Sequence, residues 1–192
     1  MKRNKILFFS AMLALGFAIA CLPNASAQET NSASTNTPPP VKEPPAAEVE
    51  PILAEALKAV FPGAQMTEFK KQKNVGTNFV YAINATGKIE AWIALDGIVV
   101  ETEEPANINT FPPAANEAVR KAITGMGIKD NGCRLRKTYA VPQKNEAGQD
   151  ALVKLPAPEL TYGADVANNH GAGGKFGFKA NGTLVQKPDW AP

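Results

Sequence analysis

The stretch Lys88–Val100, KIEAWIALDGIVV, decides the fold, because it carries two strand-like runs on either side of Asp96-Gly97. Asp-Gly between alternating apolar residues is a strong signal for a two-residue β-hairpin turn of type I′. The segments Met66–Lys73 and Asn78–Asn84 precede this hairpin and have the same strand character. We therefore expect four consecutive antiparallel strands, the last of them over Ile98–Glu103.

A helix is expected just upstream of these strands. Apolar residues between Ile52 and Val60 recur at spacings of three and four, which is typical of a helix with one apolar side. Pro51 suits the first helical turn, and Phe61-Pro62-Gly63 ends the helix. One helix covers one face of an antiparallel sheet, so the other face is free to meet solvent or a partner.

The same order of elements recurs downstream. A helical stripe runs from Ala115 to Ile123, strands are expected over Cys133–Val141 and Glu159–Val166, and a closing hairpin surrounds Asn181-Gly182. The predicted fold class is therefore α+β, with two tandem repeats, each one helix packed on a four-stranded antiparallel sheet. The predicted repeats span 50–108 and 109–192, and whether they share one sheet stays open.

The N-terminus has the pattern of an export signal. Three basic residues among the first five precede an apolar run too short for a membrane span, and Ala25-Ser26-Ala27 offers a cleavage site. We predict a signal peptide over 1–27 and a periplasmic or secreted protein. In the alternative, Cys21 is acylated and anchors a lipoprotein, although Ala18 stands where a lipoprotein box usually has leucine.

The segment 28–49 is rich in proline, serine and threonine and has no aromatic residue. Such a composition buries too little apolar surface to order itself, so a disordered tether is expected. Removing the leader takes away three basic residues and changes the formal charge from +2 to −1. A nearly neutral protein lacks the positive surface that nucleic acid requires, so nucleic acid is not expected as a partner.

The residues that carry catalysis or metal binding are sparse. The one histidine, His170, lies in a glycine-rich turn, and only Cys133 remains after cleavage. A catalytic triad needs a nucleophile, a base and an orienting group, and a zinc site needs three or four nitrogen or sulfur ligands. We predict no enzyme activity, no metal and no cofactor. Cys133 is expected as a half-buried strand residue, with a reactive thiol as the alternative.

Two short motifs resemble a known family. Ala59–Ala64, AVFPGA, and Ile93–Val99, IALDGIV, are similar to the PepSY-like group of exported bacterial domains, also called β-lactamase-inhibitor-like or BLIP-like. Phe111–Val119 resembles the family's helix start in a second copy. That copy departs from the pattern, because its helix ends in Thr124-Gly125-Met126-Gly127 and its hairpin has Asn181 in place of aspartate. The resemblance implies two copies of an α+β unit and a non-enzymatic module that binds proteins or peptides.

One coincidence points to a binding surface, since the first strand of each predicted copy is basic. The simpler interpretation is an edge strand protected by charge from aggregation. The alternative is a basic strip beside aromatic residues that binds an acidic partner surface or an anionic polymer. The predicted partner-binding residues are Lys70, Lys71, Lys73, Arg134, Arg136, Lys137, Trp92 and Tyr139.

The sequence thus predicts a non-catalytic exported module that binds a protein or peptide in the cell envelope or outside it. Inhibition of a peptidase or other enzyme is one form that this binding takes in the family it resembles. The competing hypothesis is a structural or stress-related envelope protein without a specific ligand.

Overall fold

The computed structural model describes residues 42–125 and 129–191. The predicted signal peptide, the Cys21 anchor, residues 28–41 of the predicted tether and the Met126-Gly127 helix end lie outside the described residues.

Two helices and eight strands form the described fold. In chain order they are α1 (Ala46–Val60), β1 (Met66–Val75), β2 (Asn78–Ala85), β3 (Ile89–Ala94), β4 (Val99–Pro105), α2 (Pro113–Gly125), β5 (Lys129–Lys144), β6 (Asp150–Ala167), β7 (Gly173–Phe178) and β8 (Leu184–Gln186). Helix α1 begins four residues before the predicted boundary at residue 50, so Pro51 lies inside the helix and not in its first turn.

All eight strands belong to one antiparallel sheet in the order of the sequence, β1 to β8. The predicted fold class, two tandem repeats that each pack one helix on a four-stranded sheet, is therefore wrong, because a single eight-stranded sheet carries both helices. β4 pairs directly with β5, from Glu101 opposite Thr138 to Pro105 opposite Arg134. The physical reason is that the two facing edges satisfy each other's backbone hydrogen bonds and so remove two exposed strand edges.

The β5–β6 hairpin is also longer than predicted. β5 runs to Lys144 and β6 begins at Asp150, beyond the predicted strand ends at Val141 and Glu159, and residues 145–149 form the turn between them. Residues 155–158 form a bulge in β6, because Thr138 pairs with Glu159 and Ala140 pairs with Lys154. These extensions were not predicted, because their polar residues and prolines are typical of loops and of strand edges.

The hairpin predicted at Asp96-Gly97 is confirmed, although the turn differs from type I′. Only Gly97 has a positive φ, of 79°, and its amide donates to the carbonyl of Ala94 at 2.9 Å. A type I′ turn needs two residues with positive φ, whereas a type I turn followed by a left-handed glycine needs one. The β7–β8 hairpin closes in the same way at Gly182.

Both helices pack on one face of the sheet, each over its own hydrophobic cluster. Below α1, Leu53 and Leu57 contact a cluster that includes Tyr81, Ile83 and Ile93. Below α2, Ala115 and Val119 join Phe111, Tyr162, Ala164, Val166, Phe176, Phe178 and Ala191. Alternation along each strand then sends the intervening side chains to the opposite face, which is called here the helix-free face.

The tip of the β5–β6 hairpin covers one end of the helix-free face. Leu152 packs there against a small cluster that contains Val80, Ala94 and Trp92. At Gly76, where β1 turns into β2, an added Cβ would lie 2.1 Å from the carbonyl oxygen of Asp150. Only a residue without a side chain permits this approach, so the tip rests directly on the turn. The rest of the helix-free face carries the candidate site.

Candidate binding face

The open part of the helix-free face carries an array of charged residues, which is called here the charge network. Register places Glu90 opposite Glu103, Glu103 opposite Arg136, and Asp165 opposite Lys175. Sequence neighbours of several network residues, such as Ala91 beside Glu90 and Ala164 beside Asp165, belong to the two cores. The members of the charge network are Glu90, Glu101, Glu103, Arg134, Arg136, Asp165 and Lys175.

Glu103 lies at the centre of the charge network and is 2% exposed. It accepts hydrogen bonds from the guanidinium of Arg136, at 2.8 Å from Nε, and from Nζ of Lys175, at 2.5 Å. Nε of Arg134 lies 3.8 Å away. A buried carboxylate is tolerated when cations and hydrogen bonds compensate its lost hydration, and this one has both.

The other carboxylates surround these cations and are partly exposed. Glu90 bonds Arg134 at 3.1 Å and Lys175 at 3.3 Å. Glu101 pairs with Arg136 at 3.3 Å and accepts a hydrogen bond from the Thr138 hydroxyl. Four carboxylates and three cations therefore hold one another in place, with a formal charge of −1 for the group.

The pKa shifts follow from this arrangement. Burial alone raises the pKa of Glu103, but the Lys175 hydrogen bond and the Arg136 charge outweigh it, so the pKa is lowered. Burial alone lowers the pKa of Lys175, but its bond to Glu103 raises the pKa overall. Burial raises the pKa of Glu101 and of Asp165 despite the cations beside them. The central pair is therefore charged at neutral pH.

A cavity lies beneath the charge network, lined by Glu103, Arg134, Asp165 and Lys175 among others. Its volume is about 10 Å³, which is the space that one water molecule needs. A substrate does not fit in this cavity. A larger open pocket of about 410 Å³ adjoins the charge network at Asp165 and Lys175.

The eight predicted binding residues divide between different environments. Arg134 and Arg136 belong to the charge network, and Arg134 is almost completely buried. Trp92 lies on the same face, opposite Glu101, and packs against the small cluster under the hairpin tip. Lys70 pairs with Ala82, which in turn pairs with Trp92, so Lys70 extends this row to the edge of the sheet.

The remaining predicted residues lie elsewhere. Lys71 faces α1 and sits 4.4 Å above the ring of Phe79. Lys137 lies opposite Thr102 of β4 and its Nζ is 2.6 Å from a carboxylate oxygen of Glu104. Alternation places Tyr139 on the side of Lys137 and Lys73 at the β1 edge. Because β1 and β5 are four strand spacings apart, about 19 Å, the two basic segments do not form one continuous strip.

Sequence reasoning missed the acidic half of the charge network, which is Glu90, Glu101, Glu103 and Asp165, together with Lys175. A signal for part of it was present. Glu101 and Glu103 alternate on β4 with the same period as Arg134 and Arg136 on β5. Complementary charges with period two on two strands favour cross-strand pairing, provided that the strands are known to be neighbours.

Metal-ligating residues, His170 and Cys133 are the other candidate sites. No group of three metal-ligating side chains occurs within residues 42–125 and 129–191. His170 is exposed in the turn between β6 and β7. Cys133 is half-buried, and burial followed by the charge of Asp130 raises the pKa of its thiol, which disfavours the reactive thiolate. No helix within the described ranges has the length and apolar character to cross a membrane.

An open groove of about 680 Å³ separates α2 from the β7–β8 hairpin. Its walls include Ala114, Ala118 and Ala122 of α2 together with Phe178 and Leu184 of the hairpin. The groove exists because α2 presents small side chains on this flank. Glu117 and Lys121 stand among its lining residues, so the groove has no single sign of charge.

No family profile matches this chain, and none of the curated proteins matches it. Among solved structures, the chain is similar to a BLIP-like protein of Bacteroides fragilis, with 19% identity and a TM-score of 0.42, over 79% of this chain and 91% of that one. It is also similar to a DUF2874 family protein of Bacteroides uniformis, with 16% identity and a TM-score of 0.44, over 75% and 88% of the two chains.

A third similar structure is a candidate periplasmic protein of Bacteroides eggerthii. The identity is 13% and the TM-score 0.44, over 76% of this chain and 88% of that chain. All three likenesses have TM-scores below 0.5, so the residues of this chain carry the functional conclusion.

Proposed function

We propose that this protein is a non-catalytic binding module whose helix-free face contacts a protein or peptide partner. The observation that carries the proposal is the charge network around Glu103. It fixes charged side chains on an open sheet face, while both helices cover the opposite face. The location outside the cytoplasm, which rests on the N-terminal export pattern, belongs to the same proposal.

Preorganised charges suit recognition better than free ones. A long charged side chain normally loses rotamer freedom when a partner immobilises it, which costs about 0.5–1.5 kcal/mol for each side chain. Here Arg136 and Lys175 are already held by the buried Glu103. Fixed charges of both signs also reject partners with the wrong pattern, so they contribute specificity more than affinity.

A polar sheet face is compatible with a protein that is stable without its partner. An antiparallel sheet needs apolar cover on one face only, and α1 and α2 supply it. A partner that is an enzyme would be inhibited if this face covered the opening of its active site, which is how an inhibitory role fits the proposal.

The test uses exposed positions that flank the charge network. Asn84 on β2 and Glu159 on β6 are exposed, and register places them on the helix-free face opposite Glu90 and Thr138. The double variant Asn84→Arg/Glu159→Arg adds bulk and positive charge without removing any network member. We expect it to lose at least tenfold in affinity, because like charges and steric conflict disfavour the docked geometry.

The matched control is Ala54→Arg/Glu55→Arg on the exposed side of α1, which makes the same change in charge. Wild type, face variant and control are used as baits in native cell-envelope extract, and captured proteins are compared by mass spectrometry. A partner that binds wild type and control but not the face variant supports the proposal. A partner that all three capture equally contradicts the assigned face, and capture of nothing by wild type favours a structural protein without a ligand.

A further inference from the structure

Strand β1 is the long free edge of the described sheet. It has ten residues and pairs only with β2 on its inner side. The opposite edge differs, because β8 has three residues. Beyond it, Pro188 and Trp190 lie so close to Gly174 of β7 that an added Cβ would meet Pro188 at 2.5 Å. Of the two outer strands of this sheet, β1 therefore offers the longer run of unpaired backbone to a strand that joins it.

The β1 edge is basic, with Lys70, Lys71 and Lys73 against a single acidic residue, Glu68. Lys70 and Lys73 are exposed. If two copies of β1 paired, two strands with a net positive charge would lie side by side, and like charges opposite each other destabilise a pair of strands. Lysines on an edge therefore act against self-association, but the same positive charges favour pairing with a strand that carries negative charges.

A carboxylate is already bound beside β1. Glu43, which precedes α1, lies 3.2 Å from Nζ of Lys71 and accepts a hydrogen bond from the hydroxyl of Tyr81 at 3.3 Å. Tyr81 is only 2% exposed. Burial, and then the charge of Glu43, raise its pKa, so the hydroxyl keeps its proton as the donor. The chain itself thus places a carboxylate beside β1, on the face that α1 covers.

Bulges limit how much of the edge a partner can use. Pairing with β2 is regular from Glu68 to Lys71, and register shifts interrupt it on both sides, at Met66/Glu68 and at Lys71/Lys73. A regular stretch of this length offers main-chain groups to a short strand only. Backbone bonds supply part of the affinity in such strand addition, and side chains select the partner.

We propose that the β1 edge binds a short, extended, acidic segment of a partner protein by strand addition. The backbone groups of Glu68–Lys71 that face away from β2 pair with the segment. Lys70 and Lys73 contact its acidic side chains. This site is separate from the charge network, so it stands or fails independently of the function proposed for the helix-free face.

The probe is a synthetic fluorescent octapeptide that alternates glutamate and valine, with a lysine–valine peptide of the same length as its counterpart. Binding to the full mature chain is measured by fluorescence anisotropy at low and at physiological salt. We expect the acidic peptide to bind and the basic peptide not to bind. The variant Lys70→Glu/Lys73→Glu should lose about tenfold or more in affinity for the acidic peptide and gain affinity for the basic one.

Three controls make the result decisive. Lys58→Glu/Lys121→Glu changes two exposed lysines on the helices and should leave the affinity within about twofold of wild type. Methylation of the amides along one edge of the acidic peptide should abolish binding, because it removes the main-chain donors. Glu159→Arg, an exposed position on β6 that does not pair with β1 in the sheet, should bind the peptide as wild type does.

Absence of binding to wild type overturns the proposal. An equal loss in the helix variant would show general charge attraction, and unchanged affinity of the methylated peptide would exclude strand addition. A peptide that binds wild type but not Glu159→Arg would place the site on the open part of the helix-free face, and would contradict the edge.

Discussion

The two halves of the sheet solve the same packing problem with different side chains. Under α1, the helix supplies long aliphatic residues, since Val49, Leu53 and Leu57 are each at most 1% exposed. α2 fully buries only Ala115 and Val119. The strands and loops supply the side chains that fill the core below α2. Among them are Phe111 and Tyr162, whose ring centroids lie 5.1 Å apart.

This difference shows that a helix on a sheet is stabilised by the pair of surfaces and not by the helix alone. A helix with small residues packs closely when aromatic rings rise from the sheet. The same small residues leave the groove beside β7 and β8. The halves meet at the β4–β5 pair, where the charge network crosses from one to the other.

The largest effect is expected where the halves meet. Glu103→Ala removes the buried carboxylate and leaves Arg136 and Lys175 without their main partner. Breaking one side of a buried ion pair costs about 3–5 kcal/mol, so we expect a loss of stability in that range. Urea unfolding followed by circular dichroism measures it. Glu159→Ala, an exposed position on the same face, serves as the control and should change stability by less than about 0.5 kcal/mol.

A smaller loss of stability is expected when a buried side chain of either helix is truncated, and the loss should differ between the two helices. Leu53→Ala should cost about 3 kcal/mol, because it removes a fully buried side chain from a packed core. Val119→Ala should cost only about 1.5 kcal/mol, since it removes two methyl groups. The same urea experiment compares the two variants. Equal losses would show that α2 contributes as much to its core as α1 does, which would contradict the difference described above.

The smallest expected effect is a dependence of the free energy of unfolding on pH through Glu103. The folded-state pKa of Glu103 is lowered, so its contribution to stability is present above the unfolded value, about 4.3. The contribution is lost as the pH falls through the folded-state pKa. The difference in unfolding free energy between wild type and Glu103→Gln should therefore shrink as the pH falls below about 4.3. A difference that stays constant from pH 7 to pH 3 would show that charge is not what Glu103 contributes.

Local elements were largely predictable, because the signals for them are local. The hairpin at Asp96-Gly97, the helix before it and the helix that ends at Gly125 follow from apolar periodicity and turn residues. The long arms of β5 and β6 were not predictable. Their polar residues and prolines resemble a loop unless a neighbouring strand is known to pair with them.

The candidate site was predicted only in part. Arg134 and Arg136 were identified because the first strand of each predicted repeat is basic, but their role as a basic binding strip stays a prediction. The structure places them among carboxylates from three other strands. Glu103 lies 31 positions before Arg134 in the sequence, so no local pattern connects the two.

The sequence by itself determined which residues alternate between the faces of each strand and which segments form the two helices, because alternation and helical period depend only on near neighbours. The tertiary structure alone decided that β4 pairs with β5, that one continuous sheet results, and that Glu103 is enclosed by cations. These features depend on which strand edges meet, and that choice follows from satisfying backbone hydrogen bonds and buried charges across residues distant in the chain.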